Sequence, residues 1–159
     1  MPVSALPAGL VIREAEADDL PALVALFAAD ALGGHGDTTD PAAFDDYRAA
    51  FAEILKDRPA VRLFAAELDG RVIGTFQLVV VTSLPGRGAR RALLEAVQVE
   101  AGLRGRGIGE ALVRFAIEDA RRAGARSLAL TSNKVRLDAH RFYRRLGFAN
   151  SHEGLKITL

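Results

Sequence analysis

The chain has 159 residues, 50% of them apolar and 26% charged, enough to bury a core and too apolar for disorder. It has no cysteine, which excludes disulfides, thiolate zinc centres and cysteine nucleophiles. The net charge of +1 conceals a split, because residues 1–86 carry −7 and residues 87–159 carry +8. Either the second half meets an anion, or the two halves pair with each other. No apolar run approaches the ~18 residues of a membrane span. The opening stretch lacks the basic region of a secretory leader and soon turns acidic. These features predict one cytoplasmic domain over residues 1–159 with no membrane partner.

Leu10-Val11-Ile12 reads as a short strand, and Asp18 as the N-cap of a helix carrying Leu20, Leu23, Val24 and Phe27. Gly33-Gly34-His35-Gly36 breaks it. Asp40 caps a second helix with Pro41 at its first position. Its apolar stripe is Phe44, Tyr47, Phe51 and Ile54-Leu55, and Pro59 closes it. Ala60 to Leu68 and Val72 to Thr82 read as strands joined at Asp69-Gly70, a hairpin signal. Pro85-Gly86-Arg87-Gly88 turns the chain into a strand from Arg91 to Glu100. A helix from Gly107 to Ala123 stops at Gly124. A strand over Ser127–Thr131, a helix over Asp138–Leu146 ended by Gly147, and a last strand over Leu155–Leu159 complete the order. This predicts an α/β (α+β) fold, a mixed and mostly antiparallel sheet flanked by about four helices.

The most informative stretch runs from Val97 to Gly109. A strand ends, a basic glycine-rich turn follows, and an amphipathic helix begins inside the turn. Glycines allow close approach to the backbone, the first N–H groups of a helix lack partners, and the helix dipole adds positive potential. Arg104 and Arg106 add side-chain charge, so the turn is suited to an anion. A P-loop is excluded because no Lys-Ser or Lys-Thr follows the glycines. Gly105, Gly107 and Gly109 also have the wrong spacing for a dinucleotide fingerprint.

The run Arg104-Gly105-Arg106-Gly107-Ile108-Gly109 resembles the acetyl-CoA motif Q/R-x-x-G-x-G/A of the GNAT N-acetyltransferases. Leu94-Glu95-Ala96-Val97-Gln98-Val99 is similar to that family's fourth strand, and Phe142-Tyr143-Arg144-Arg145-Leu146-Gly147-Phe148 to its F-Y-x-x-L-G-F element. The resemblance implies that Arg104, Gly105, Arg106, Gly107, Ile108 and Gly109 bind the CoA pyrophosphate. It places Val97, Gln98 and Val99 along pantetheine, with a backbone N–H on the thioester carbonyl, where it would stabilise an oxyanion. Tyr143 matches the general acid. Glu95 matches a strand glutamate that acts as base directly or through water. On an unbroken strand Glu95, Val97 and Val99 share one face, and a carboxylate enclosed there would suit general-base work.

Many relatives carry Asn seven residues before the tyrosine, whereas this chain has Arg136 there. The run from Thr131 to Tyr143 is similar to a branch that includes aminoalkylphosphonate acetyltransferases, in which Asn133 is the candidate cofactor contact. Asp138 reads equally as an N-cap or a ligand. His140 shares a helical face with Tyr143, and His152 precedes the last strand.

The resemblance implies acetyl-CoA as cosubstrate, a small primary amine as acceptor, direct transfer in a ternary complex, and a homodimer as in many relatives. The connection between the first two helices would meet the acceptor. There Asp37 and Asp40 are candidates for an ammonium group, and His35 joins them as a candidate metal set, although no metal is assigned. The alternatives are a protein N-terminus or lysine as acceptor, and a non-catalytic acyl-CoA sensor. Nucleic acid is excluded as a partner, because the arginines sit on a turn and two helices with few aromatics to stack bases.

Overall fold

The computed structural model describes residues 7–159 except Gly34 and Pro59, so the helix break at Gly34 and the closure at Pro59 lie outside the described residues. Among them five strands form one sheet in the order β1-β2-β3-β4-β5: β1 (Val11–Glu14), β2 (Val61–Leu68), β3 (Arg71–Thr82), β4 (Arg90–Val99) and β5 (Ala125–Ala129). The first four pair antiparallel, and β5 lies parallel to β4. Among the described residues four helices of two turns or more surround the sheet: α1 (Leu20–Ala28), α2 (Phe44–Lys56), α3 (Ile108–Arg122) and α4 (Leu137–Arg145). The segment Pro85–Gly88 is a single helical turn interrupted by left-handed Gly86 and Arg87. The expected mixed, mostly antiparallel fold is present.

Alternation along β2 divides the core. Leu63 and Ala65 join α1 and α2 on one face, with Leu23, Val24 and Phe51. Phe64 and Ala66 join α3 on the other, with Phe76, Leu78, Ile108 and Leu112. Stacked Phe64 and Phe76 rings, 4.7 Å apart, fill the α3 side. Asp69 and Gly70 both have positive φ, 51° and 76°, as a two-residue hairpin with the strands' own twist requires. Asp40 Oδ1 accepts the Ala42 N–H at 2.9 Å as expected, but one 3-10 turn (Pro41–Ala43) precedes α2.

Two expectations fail. Asp18 does not cap α1. A 3-10 turn over Ala17–Asp19 leads into the helix, and buried Asp19 accepts hydrogen bonds from Arg13 at 2.7 and 2.9 Å and from the Glu16 N–H at 2.8 Å. The last strand is also not formed. Residues 149–159 carry no regular structure, and Leu155, Ile157 and Leu159 are exposed. Alternation specifies which face a strand would bury but supplies no partner for its backbone, and among the described residues β5 pairs only with β4.

Candidate active site

The site begins where the sheet splits. β4 and β5 pair from Arg90 to Leu93 on one side and Ala125 to Ala129 on the other. From Leu94 to Val99, β4 keeps β3 as its only neighbour among the described residues, so its other backbone edge is open. A bulge lies at the start of that edge. Ala96 has φ 52°, a conformation unfavourable for a residue with a Cβ, and the register with β3 shifts between Thr75 and Gln77.

The bulge corrects the expected pattern of faces. Leu94 is buried on the α3 side, and beyond the bulge Val97 and Val99 also pack there. Glu95 shares its face with Gln77, whose Nε2 donates to Glu95 Oε2 at 3.3 Å. Gln98 faces the end of α1, where its Nε2 donates to Asp30 Oδ2 at 2.8 Å. The extra residue therefore puts Glu95 beside Gln98 on the helix α1 side, not beside Val97 and Val99. Glu95 is exposed, so the apolar enclosure expected for it is absent.

The glycine turn lies at the end of β4. Gly105 and Gly107 have φ 79° and 81°, the left-handed conformation that only glycine adopts cheaply. Gly107 is the N-cap of α3 and offers no side-chain cap. Among the described residues, none accepts a hydrogen bond from the N–H groups of residues 105–110. Arg106 is exposed, whereas Arg104 folds back so that its Nε donates to the Val99 carbonyl at 3.1 Å. Gly109 is helical, and its place is set by proximity. A Cβ there would lie 3.6 Å from Phe142 and 3.9 Å from Val99. The residues present thus suit a polyanionic cosubstrate: free N–H groups and Arg106 for phosphates, and an open strand edge for an extended amide-bearing arm.

Phe142 brings the tyrosine helix to this point. The Tyr143 ring packs edge-to-face between Phe142 (5.0 Å) and Phe148 (5.7 Å). Its hydroxyl has no hydrogen-bond partner among the described residues, yet it is not a fully buried atom. Burial pushes the phenol above its ordinary pKa, and the charge of Arg136 pulls it partly back.

Other candidates have local roles. Asn133 is exposed, and its Oδ1 accepts the Val135 N–H at 3.1 Å, leaving its amide nitrogen free. Asp138 pairs with Arg141 in the first turn of α4, and the N-cap is Arg136, so Asp138 is no cap. Tyr47 Oη donates to Asp37 Oδ1 and accepts the Thr38 N–H, both at 3.0 Å. Asp37 and Asp40 thus serve their own loop. Among the described residues no three His, Asp or Glu side chains converge on a metal site. Ser151 Oγ lies 2.8 Å from His152 Nδ1 on the surface. Among the described residues no helix is long and apolar enough to cross a membrane.

Sequence reasoning missed one cluster. Arg136 Nη2 donates to both oxygens of Asp30, at 2.7 and 2.6 Å, and Asp30 also holds Gln98. Burial opposes the Asp30 carboxylate, but the bonds from Arg136 and Gln98 outweigh it and hold the carboxyl below the usual range. The one available signal was Arg136 itself, standing where an asparagine was expected. Among the described residues this is also the one ion pair joining an acid of the first half to a base of the second. Pairing between the halves therefore does not absorb the charge split.

A split sheet, an uncapped helix N-terminus and a tyrosine helix that reaches Gly109 through Phe142 stand at the end of β4. The match of residues 20–148 to the acetyltransferase (GNAT) family makes the chain a member of that family. An aminoalkylphosphonate N-acetyltransferase of Salmonella typhimurium is 37% identical over 109 residues, covering 69% of this chain and 70% of that protein. A crystal structure described as a transcriptional regulator from Bacillus halodurans is 39% identical, with a TM-score of 0.90, covering 94% of this chain and 99% of that one. A putative acetyltransferase from Agrobacterium tumefaciens is 30% identical with a TM-score of 0.81, over 94% and 99% of the two chains.

Proposed function

We propose that the protein transfers the acetyl group of acetyl-CoA to a primary amine on a small molecule, directly, within a ternary complex. The observation that carries this reading is the meeting of three features around Phe142. The start of α3, with its free N–H groups, and the open edge of β4 meet at Gly109, where a Cβ would lie 3.6 Å from Phe142 and 3.9 Å from Val99, and the Tyr143 ring packs 5.0 Å from the Phe142 ring. The relative named as acting on aminoalkylphosphonates supports a small amine acceptor.

When bound, acetyl-CoA supplies the acetyl group and a thiolate leaving group. The N–H groups of residues 105–110, with Arg106, would hold the pyrophosphate. The backbone of Val97, Gln98 and Val99 would pair with the pantetheine arm and present an N–H to the thioester carbonyl. Asn133 would lend its free amide nitrogen to the same arm. An alkylammonium, with pKa roughly 10, must lose a proton before it attacks. Glu95, exposed on the α1 face, takes that proton through water. As the N–C bond forms and the C–S bond breaks, the nitrogen loses its second proton to water and Tyr143 Oη gives its proton to sulfur. The tyrosinate is then reprotonated from solvent. With no cysteine, the chain lacks the usual nucleophile for a covalent acyl-enzyme.

Initial rates of thiol release from acetyl-CoA with a panel of small amines test the reading. We expect one amine class to raise release well above the hydrolytic rate, with intersecting double-reciprocal lines. Parallel lines contradict the ternary complex. Tight CoA binding with no amine response would favour a second reading, a non-catalytic acyl-CoA sensor. That reading draws support from the relative described as a transcriptional regulator.

A further inference from the structure

The sheet ends at β5, and among the described residues the outer edge of that strand pairs with nothing. Leu128 packs against the α3 core, while Arg126, Ser127 and Ala129 are exposed. On β4, Leu93 pairs with Ala129 and is 39% exposed. Its neighbours Ala92 and Leu94 are buried in the α3 core, so by alternation Leu93 lies on the face away from α3. An open edge with apolar surface beside it is a template for another strand.

The same chain carries a strand-like segment that has no sheet. Leu155, Ile157 and Leu159 alternate with Lys156 and Thr158. Leu155 is 97% exposed and Ile157 82%. Among the described residues, none makes a hydrogen bond with residues 153–159. Gly154 stands beside the end of β5, where an added Cβ would lie 3.8 Å from Thr131 Cγ2. Beyond that point the segment does not pair with its own β5, and its side chains stand in solvent. An unpaired backbone bearing alternate exposed apolar side chains is unstable alone in water and is covered by association.

We propose that Leu155–Leu159 of one copy adds as a strand to the outer edge of β5 in a second copy, and that the second copy returns the same contact. Donor and acceptor surfaces belong to one chain, so a single two-fold axis satisfies both at once. They match in length, because β5 has five residues and so does the segment. Main-chain hydrogen bonds along β5 hold the added strand, and its alternate apolar side chains meet the surface around Leu93 and Leu128. Neither surface includes a residue assigned to acetyl transfer, so the exchange stands or falls apart from that reaction.

Light scattering after gel filtration at about 50 μM chain reads the mass, since a Kd near ~1 μM leaves most chains paired there. The wild type is expected at twice the chain mass. Ile157→Lys, and a chain lacking Leu155–Leu159, are expected at the single-chain mass with an unchanged far-ultraviolet spectrum, because these side chains are exposed in the single chain. A wild type of single-chain mass overturns the proposal, whether the segment is free or lies on its own β5. A dimer that survives the deletion overturns it equally. The chain has no cysteine, so Ser127→Cys/Thr158→Cys introduces its sole thiols. A short bismaleimide should join that variant into a covalent dimer on a denaturing gel. Links confined to single chains, or no links, overturn the exchange.

Discussion

Replacing Gly109 by alanine separates binding from folding. The residue sits in the first turn of α3 with helical backbone, so a Cβ brings no conformational strain. Its nearest neighbours would be Phe142 at 3.6 Å and Val99 at 3.9 Å, ordinary van der Waals contacts. Glycine in a helix costs roughly 0.5–1 kcal/mol relative to alanine, so Gly109→Ala should hold or gain up to that much stability. The new methyl nevertheless stands between β4 and α4, on the path from the strand edge to the helix N-terminus. With CoA seated over the start of α3 the methyl would crowd it, and overpacking by one methyl costs about 1–3 kcal/mol, so CoA should bind about 5- to 150-fold more weakly. Urea unfolding and calorimetric titration with CoA read the two effects on the same preparation. Unchanged CoA affinity in a stable Gly109→Ala protein would refute the placement of the cosubstrate over the start of α3.

The remaining predictions concern the buried charges. Arg62 Nη2 lies 2.5 Å from Asp119 Oδ2 in an ion pair, with side chains 15% and 9% exposed, and neither Arg62 Nε nor Asp119 Oδ2 makes an aligned hydrogen bond. Asp119→Asn leaves the half-buried guanidinium without a negative partner and should cost about 3 kcal/mol by urea unfolding; a loss below about 1 kcal/mol would contradict the pairing. Hydrogen bonds from Arg13 hold the Asp19 carboxyl below the usual carboxylate range, against the cost of burial. A depressed carboxylate stabilises the fold fully above its unfolded pKa near ~4, and that stability is lost as pH falls through the folded pKa. The stability difference between wild type and Asp19→Asn should therefore be flat from about pH 7 to 5 and shrink below about pH 4. A difference independent of pH across that range would contradict it.

The glycine turn was legible in the sequence because its chemistry is local. Positive φ at Gly105 and Gly107, the uncapped start of α3 and the stop at Gly124 all follow from neighbouring residues. The Asp69-Gly70 hairpin was legible for the same reason. The bulge was not. Leu94-Glu95-Ala96-Val97 reads as continuous strand, and no glycine marks the residue that takes φ 52°. One hidden extra residue moved Glu95 to the opposite face from Val97. The Asp30–Arg136 pair was equally hidden, because its partners lie 106 residues apart and meet through the sheet. The Leu155–Leu159 segment has the alternation of a strand, but whether a strand forms depends on a partner that the alternation does not supply.

In the proposed mechanism Tyr143 protonates the sulfur of a bound thioester during transfer to an amine. Its most direct test is turnover of Tyr143→Phe, at saturating acetyl-CoA and an amine that the wild type acetylates, with CoA affinity measured alongside. Removing a general acid should lower turnover about 100-fold or more. CoA affinity should stay within about threefold, because the Tyr143 hydroxyl is assigned to the reaction and not to holding the cosubstrate. Turnover equal to the wild type, with CoA still bound, would remove Tyr143 from the reaction.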